Sequence, residues 1–307
     1  MHVASFERRV GAWLAMLTAL VTFALPGAAQ TLDRVRADGA IKLGYVMEER
    51  PFSFQDDAGA PTGYAVSLCT MVVEQIKGQL GLDGLALQWV PLDAAGSLDA
   101  VRTGAVDLLC GANTVTLTNR ETVSYSISIF PSGTGALVRN DAQLALREVL
   151  VQGEPSTRPI WRGSPARTVL EHKTFSAVTG TTSESWLNER IRTFQLDATI
   201  VPVASYAEGI EGVLDGSANV LFGDLPILLD AAAHHERSGN LIVLERLFTH
   251  EPLAIALPRD DEDLRLAVDR ALSGFYRSEG FRAFFEEWFG PPDAPAVTFF
   301  QQTTLPE

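Results

Sequence analysis

Two hydroxyl-rich loops that lead into helices are the first candidates for chemistry in this sequence. One covers residues 111–118 and ends at a Thr-x-x-Glu pattern, Thr118 with Glu121; the other covers residues 180–184 and has the same pattern at Thr181 and Glu184. A helix N-terminus presents unpaired N–H groups and the positive end of the helix dipole, so each loop could bind a carboxylate. The same residues also suffice for ordinary helix capping, and the spacing leaves both interpretations open.

Asp224 is the third candidate, because it follows the apolar run that ends in Phe222-Gly223 and precedes a predicted helix. Ligands of open α/β sheets bind outside the carboxyl ends of the strands, where Asp224 and both loops fall. A carboxylate that faces two anion sites suits a zwitterion, with Asp224 binding an ammonium group and the loops a carboxylate. Taken alone, Asp224 is better interpreted as a helix N-cap.

The elements that would position these residues form two successive α/β units. In the first, strands are predicted at 40–45, 85–90 and 105–109, a helical turn at 98–102, and a helix after Gly63-Tyr64 whose buried face carries Val66, Cys69, Val72, Val73 and Ile76. In the second, strands at 174–178, 198–203 and 218–222 alternate with helices at 183–193, 206–215 and 225–234. This alternation predicts an α/β fold in which each lobe is a mostly parallel sheet flanked by helices.

Two short apolar runs, 135–139 and 253–257, are predicted to be paired strands that cross between the units and form a hinge. The stretch 141–173 is predicted to be an irregular insertion with one helix near 142–150, and a single C-terminal helix is predicted at 264–288. The predicted organisation is therefore a signal peptide at 1–29, a discontinuous lobe 1 at 30–137 and 252–307, and lobe 2 at 138–251.

The N-terminal segment predicts export. Arg8 and Arg9 precede an apolar stretch at 10–25, and Pro26 and small residues up to Ala29 form a cleavage region. A retained membrane anchor would need about 20 uninterrupted apolar residues. In an oxidising compartment the two cysteines, Cys69 and Cys110, are expected to form a disulfide, although two buried free thiols are the alternative.

Composition narrows the class of partner. With 46% hydrophobic residues among 307, the chain can bury a sizeable core in two domains, and its formal net charge of −14 disfavours nucleic acids and anionic membranes as partners. We find no Gly-x-Ser-x-Gly elbow, Walker loop or His-Glu-x-x-His motif, and we expect no metal and no cofactor.

Several segments together resemble the polar amino-acid branch of the family 3 periplasmic solute-binding proteins. They are Pro51-Phe52-Ser53-Phe54, Gly63-Tyr64, Asp107–Ala112, Tyr125-Ser126, Gly180–Glu184, Phe222-Gly223-Asp224 and Trp288-Phe289-Gly290. The resemblance implies a type II periplasmic-binding-protein fold, with the ligand between two lobes joined by two hinge strands. It also implies a periplasmic monomer that delivers an amino acid or a related small polar molecule to the membrane subunits of an ABC transporter.

The resemblance also implies ligand contacts. Thr114 matches a hydroxyl that contacts the ligand, Thr181 and its neighbour Thr182 match the donors of lobe 2 for a ligand carboxylate, and Asp224 matches the acceptor for an α-ammonium group. Asn119, however, stands where most members have the arginine that binds the ligand carboxylate.

Asn119 cannot replace that arginine, because the charged bidentate fork is lost. Arg120 is the nearest substitute, and neighbouring helix positions point about 100° apart. Glu48, Glu49 and Arg50 stand where an aromatic residue often stacks on the ligand, and Glu49 is kept as a candidate contact although a solvated loop is the plainer interpretation. Residues 94–97 lack the arginine that binders of acidic amino acids in this family tend to have there, so the resemblance implies that glutamate and aspartate are poor candidates as ligands.

Two other functions remain open. The fold also occurs in periplasmic cyclohexadienyl dehydratases, for which Glu48 or Glu49 would have to supply a general acid. A sensory or accessory binding protein that has lost its affinity for amino acids is the other alternative, and the substitution at Asn119 favours it.

Overall fold

The computed structural model describes residues 31–152 and 165–307, so the predicted signal peptide lies outside the described residues. The helices, in chain order, are α1 Thr31–Asp38, α2 Tyr64–Leu80, α3 Ser97–Arg102, α4 Leu144–Gln152, α5 Pro165–Leu170, α6 Thr182–Phe194, α7 Tyr206–Asp215, α8 Leu225–His234, α9 Glu262–Tyr276, α10 Gly280–Phe289 and α11 Ala294–Thr303. The strands are β1 Ala40–Val46, β2 Glu48–Glu49, β3 Ser53–Gln55, β4 Pro61–Thr62, β5 Ala86–Leu92, β6 Leu108–Leu109, β7 Val123–Ser132, β8 Thr134–Arg139, β9 Thr174–Val178, β10 Thr199–Val203, β11 Val220–Asp224, β12 Leu241–Leu244 and β13 Glu251–Pro258.

Two main sheets define the two lobes of the described chain, as expected. The sheet of lobe 1 has the order β5-β1-β6-β13-β7 and that of lobe 2 the order β10-β9-β11-β8-β12. β13 is antiparallel to both of its neighbours, and so is β8. Each sheet is therefore mostly parallel, with one reversed strand.

The reversed strands are those that enter a lobe directly after the chain crosses between the sheets. The chain leaves β7 at Ser132 and enters β8 through Gly133, and it returns from β12 to β13 through residues 245–250. The two crossings touch, because the Thr134 N–H donates to the Thr249 hydroxyl at 2.7 Å. A Cβ on Gly133 would lie 2.1 Å from the Thr249 carbonyl oxygen, so only glycine allows this approach.

The prediction that 135–139 and 253–257 pair with each other is wrong. The first run pairs with β11 and β12 in lobe 2, and the second pairs with β6 and β7 in lobe 1. The predicted lobe boundary at 137/138 would cut β8, whose pairing in lobe 2 begins at Thr134. Two apolar runs of similar length gave no indication of which sheet each one joins.

The predicted face of α2 is confirmed, since Val66, Cys69, Val72, Val73 and Ile76 are all buried. Cys69 and Cys110 form the expected disulfide, which ties α2 to the residue that follows β6. The loop from 111 onward is thereby fixed at the carboxyl end of this strand.

The single C-terminal helix predicted at 264–288 is wrong, because α9 and α10 are separate helices. The Ser278 hydroxyl donates to the Phe275 carbonyl oxygen at 2.7 Å, and Gly280, a poor helix former, opens the next helix. The predicted stop at Gly290 is confirmed, and its φ of 74° ends α10. The helix predicted near 142–150 is α4, but the described part of the insertion also contains α5.

Candidate functional site

Asp224 ends β11 and is only 7% exposed. It occupies the N-cap position of α8, but its side chain makes no capping hydrogen bond. One carboxylate oxygen, Oδ1, instead accepts a hydrogen bond from the Ser132 hydroxyl at 2.9 Å, at the first crossing. Burial raises the pKa of Asp224 to about 7; the Ser132 hydroxyl opposes this shift and the charges of Glu251 and Glu49 add to it.

Glu251, the first residue of β13, places a second carboxylate at the other crossing. Its Oε1 accepts hydrogen bonds from the hydroxyls of Thr249 at 2.6 Å and Thr134 at 3.3 Å. Its Oε2 accepts from the Thr182 hydroxyl at 2.5 Å, and Thr182 is the first residue of α6. The carboxylate of Glu251 therefore lies at the N-terminal end of α6, where the helix dipole favours a negative charge.

Glu49, in β2 of lobe 1, supplies the third carboxylate. Its Oε2 accepts a hydrogen bond from the Ala112 N–H at 3.2 Å, within the first hydroxyl-rich loop. Burial raises the pKa of Glu49 to about 7 and outweighs this hydrogen bond. Glu49 is thus not the solvated loop residue of the plainer interpretation, whereas its neighbour Glu48 is exposed.

The Tyr206 hydroxyl lies beside Asp224. It accepts a hydrogen bond from the Asp224 N–H at 3.4 Å. Burial, followed by the charge of Asp224 and then those of Glu49 and Glu251, raises the pKa of Tyr206 well above its usual value. Gly223 allows the ring to approach, because a Cβ there would lie 2.4 Å from Tyr206 Cε1. We refer to Glu49, Asp224 and Glu251 as the cleft carboxylates.

The cleft carboxylates have no cationic partner within the described part of the chain, where no Lys, Arg or His nitrogen lies within 4.0 Å of them. Arg50, the neighbour of Glu49 in sequence, pairs instead with Asp230 of α8 at 3.2 Å. No group of three acidic, His or Cys side chains among residues 31–152 and 165–307 is placed to hold a metal ion. No cation among the described residues therefore compensates the negative charge of these three side chains.

Thr181 acts as the N-cap of α6. Its hydroxyl accepts from the Glu184 N–H at 3.2 Å and donates to the Val178 carbonyl oxygen at 2.7 Å. The Glu184 carboxylate accepts from the Gly180 N–H at 2.8 Å, so the predicted box forms with its return bond one residue earlier than usual.

The capping box predicted at Thr118 and Glu121 does not form. Thr118 is itself in the helical region, with φ −62° and ψ −49°, and its side chain makes no capping bond. The Thr116 hydroxyl accepts from the Asn119 N–H at 3.0 Å instead. The element that follows is a single 3₁₀ turn at Asn119–Glu121, too short for the dipole of a longer helix.

Thr114, Asn119 and Arg120 lie in or beside this first loop. Thr114 forms an isolated bridge with Leu253 of β13, and the Asn119 amide donates to the Thr114 carbonyl oxygen at 3.4 Å. The Arg120 side chain is exposed and forms no ion pair or hydrogen bond with another described residue. The structure thus places the Tyr206 hydroxyl beside Asp224 and the Thr182 hydroxyl against Glu251. Among the described residues, the Arg120 side chain contacts none of the cleft carboxylates.

The family model for bacterial extracellular solute-binding proteins, family 3, matches residues 41–291. The chain belongs to this family.

Known proteins that resemble this chain are distant from it in sequence. The glutamate/aspartate import solute-binding protein of Escherichia coli strain K12 is 22% identical over 272 residues, which cover 89% of this chain and 83% of that protein. A crystal structure of an ancestral amino acid-binding protein, described as a precursor of cyclohexadienyl dehydratase, has a TM-score of 0.67 at 24% identity and covers 85% of this chain and 100% of that one. The cysteine-binding protein of Campylobacter jejuni also has a TM-score of 0.67, at 18% identity, and covers 86% and 96% of the two chains. These likenesses confirm the expected type II periplasmic-binding-protein fold.

Within this solute-binding fold, sequence reasoning missed Glu251, Tyr206 and Ser132. Glu251 had one available signal, since it is a lone acidic residue immediately before an apolar run that was expected to cross between the lobes. Ser132 had no such signal in the sequence. It lies in β7 opposite Glu251 of β13, and this position depends on the register between the two strands.

None of the described helices is both long enough and apolar enough to span a membrane.

Proposed function

We propose that the protein is an exported, monomeric solute-binding protein that captures an amino acid or a related small polar molecule between its lobes and delivers it to the membrane subunits of an ABC transporter. The observation that carries the proposal is Asp224, a buried carboxylate at the junction of the two lobes that has no cationic partner among residues 31–152 and 165–307. A buried charge without a partner is costly, and such sites are where ligands with an ammonium group bind.

Closure of the lobes about the two crossings would enclose the ligand. Lobe 1 contributes Glu49 and Thr114, whereas lobe 2 contributes Asp224 and the residues at the start of α6. The pair between Arg50 and Asp230 joins β2–β3 of lobe 1 to α8 of lobe 2. Because Arg50 is about half exposed, this pair contributes at most about 1 kcal/mol and can open when the lobes separate. Hinge motions of this kind are typical of binding proteins.

The disulfide supports the proposed periplasmic location, since such bonds persist in oxidising compartments. The proposal extends to Thr114, Asp224, Glu49 and the Thr181–Thr182 pair as ligand contacts, with Asn119 and Arg120 at the edge of the site. The hydroxyl and the N–H of Thr181 both bond within α6 and the loop before it, so Thr181 would have to exchange one of these bonds to donate to a ligand.

The test is ligand-dependent thermal stability of the mature protein after unfolding, dialysis and refolding to remove bound ligand. At about 1,000 times the dissociation constant a ligand stabilises by about 4 kcal/mol, which raises the thermal midpoint by several degrees. The panel contains the twenty common amino acids and small amines. A rise with one chemical class supports the proposal, and a flat result across the panel would remove transport of such compounds from consideration and favour the sensory alternative.

One observation favours a second candidate function. With its pKa raised to about 7, Glu49 could donate a proton at neutral pH, as a dehydratase on this fold would require. Incubation with a cyclohexadienyl acid and detection of its aromatic product by absorbance would test this function. Turnover by the wild-type protein that disappears in Glu49→Gln would establish it.

A further inference from the structure

Both hydroxyl-rich loops already hold a carboxylate of the chain itself. At the start of α6, the Thr182 hydroxyl donates to Glu251 at 2.5 Å. In the loop after β6, the Ala112 N–H donates to Glu49 at 3.2 Å. These are the positions at which a ligand carboxylate would need donors, and a second negative charge beside each would be repelled.

The hydroxyls at the start of α6 are all engaged within the protein. Thr181 caps the helix, Thr182 binds Glu251, and the Ser183 hydroxyl lies 3.0 Å from that of Thr134. Thr134 in turn donates to Glu251. This network orients donors toward the carboxylate of the chain and away from a ligand anion.

No arginine compensates for this arrangement within the described residues. Asn119 donates its amide to a backbone oxygen, and the exposed Arg120 side chain contacts none of the cleft carboxylates. Arg50 is paired with Asp230. The site therefore lacks the bidentate cation that normally binds a carboxylate.

The site needs positive charge instead. Asp224 is more than nine-tenths buried, and its second oxygen, Oδ2, accepts no hydrogen bond from the described residues. The negative charges of Glu49 and Glu251 add to this need for a cation. Both of these charges, like that of Asp224, raise the pKa of the Tyr206 hydroxyl. A single metal ion does not meet it, since these side chains are not grouped as metal ligands in the described part of the chain.

We propose that the ligand is a small organic cation with amino or guanidinium groups and no carboxylate, that is, an aliphatic amine and not an amino acid. This inference rests on the proposed function and narrows the chemical class that the cleft accepts. The amine would bind Asp224 and Glu49, and Glu251 at the start of α6 would exclude compounds that carry a carboxylate.

Matched pairs that differ by one carboxylate test the proposal. Isothermal titration calorimetry on the refolded, ligand-free protein compares cadaverine with lysine, putrescine with ornithine, and agmatine with arginine. In at least one pair, we expect the amine to bind at least tenfold more tightly than its amino acid. Tighter binding of the amino acid in every pair that binds would overturn this inference but leave the solute-binding function intact. No binding by any of these compounds or by the twenty amino acids would overturn both.

Glu251→Gln isolates the cause of the preference. Glutamine keeps an acceptor for Thr249 and Thr134 but removes the charge, so the preference for the amine should fall at least tenfold. Glu245→Gln is the matched control, because Glu245 is an exposed residue of the same connection between β12 and β13. An equal preference in the two variants would show that Glu251 does not exclude the carboxylate, and would refute the proposed mechanism.

Discussion

Replacement of Asp224 by asparagine should stabilise the ligand-free protein and weaken binding at the same time. The asparagine side chain would keep an oxygen that accepts from the Ser132 hydroxyl, while the buried negative charge would be lost. The pKa of Asp224 rises from 3.8 to about 7 in the folded protein, so its proton is bound more tightly in the folded than in the unfolded state. The contribution of Asp224 to stability is therefore most favourable below about pH 4 and is lost as the pH rises toward 7.

The magnitude follows from this shift. At 1.36 kcal/mol per pH unit, ionised Asp224 costs about 4 kcal/mol near pH 8 but only about 1 kcal/mol near pH 4.5. The variant removes this cost, so its advantage should be about 3 kcal/mol larger at the higher pH. For a protein of this size that corresponds to an additional rise of about 6 °C in the thermal midpoint.

Differential scanning calorimetry of both proteins without ligand, at several pH values between these limits, measures the difference. Asp83→Asn is the matched control, because Asp83 is exposed before β5 and its substitution removes the same charge. A midpoint difference for Asp224→Asn that does not change with pH, or that follows the Asp83 variant, would refute the reasoning. Calorimetric titration of the same variant with its best ligand should show at least a tenfold loss of affinity, about 1.4 kcal/mol.

Three further substitutions test the framework of the site. Loss of the disulfide in a Cys69→Ala, Cys110→Ala double variant should cost about 4 kcal/mol in urea unfolding, because the bond joins residues separated by 41 positions; a midpoint equal to that of wild type would contradict this. Gly133→Ala should destabilise by about 2 kcal/mol and weaken binding, because its Cβ would meet backbone at 2.1 Å, whereas Gly239→Ala, with open space around it, should be nearly neutral. Thr181→Ala should cost about 1 kcal/mol through loss of the cap on α6, and Thr181→Ser should recover most of it; equal melting of these two variants would exclude the capping role.

Much of the fold could be predicted from the sequence because its signals are local. The helices at 206–215 and 225–234 begin and end at the predicted residues, and the apolar spacing of α2 identified its buried face. Such periodicity depends only on neighbours in the chain. The pairing of β8 and β13 depends on contacts between distant segments, so two similar apolar runs were assigned to each other when each belongs to a different sheet.

In the candidate site, too, residues with a local sequence signal could be predicted and residues placed by distant contacts could not. Asp224 was found because the end of a strand before a helix is visible in sequence, and Glu49 because it stood at an unusual position. Glu251 joins them through strand register and the touching crossings, and its one local signal, an acidic residue before an apolar run, does not reveal which residues it faces. The capping box predicted at Thr118 is wrong although the local pattern is present. The chain forms a 3₁₀ turn there, and a capping box needs an α-helix to cap.

The contrast between favourable packing in lobe 1 and unfavourable burial of charge near the crossings supports a binding role for the crossings. Lobe 1 is well packed, and a chain of aromatic contacts beside the disulfide-bonded α2 connects Phe52, Tyr64, Phe130, Phe285 and Phe289. The cleft carboxylates are less favourably placed, because burial raises the pKa values of Glu49 and Asp224 to about 7 and no cation of the described residues offsets that burial. Natural sequences depart from locally favourable choices mainly at functional sites. A cation that entered between the lobes would restore the charge balance in the closed form, and so the free energy of binding would itself hold the lobes together.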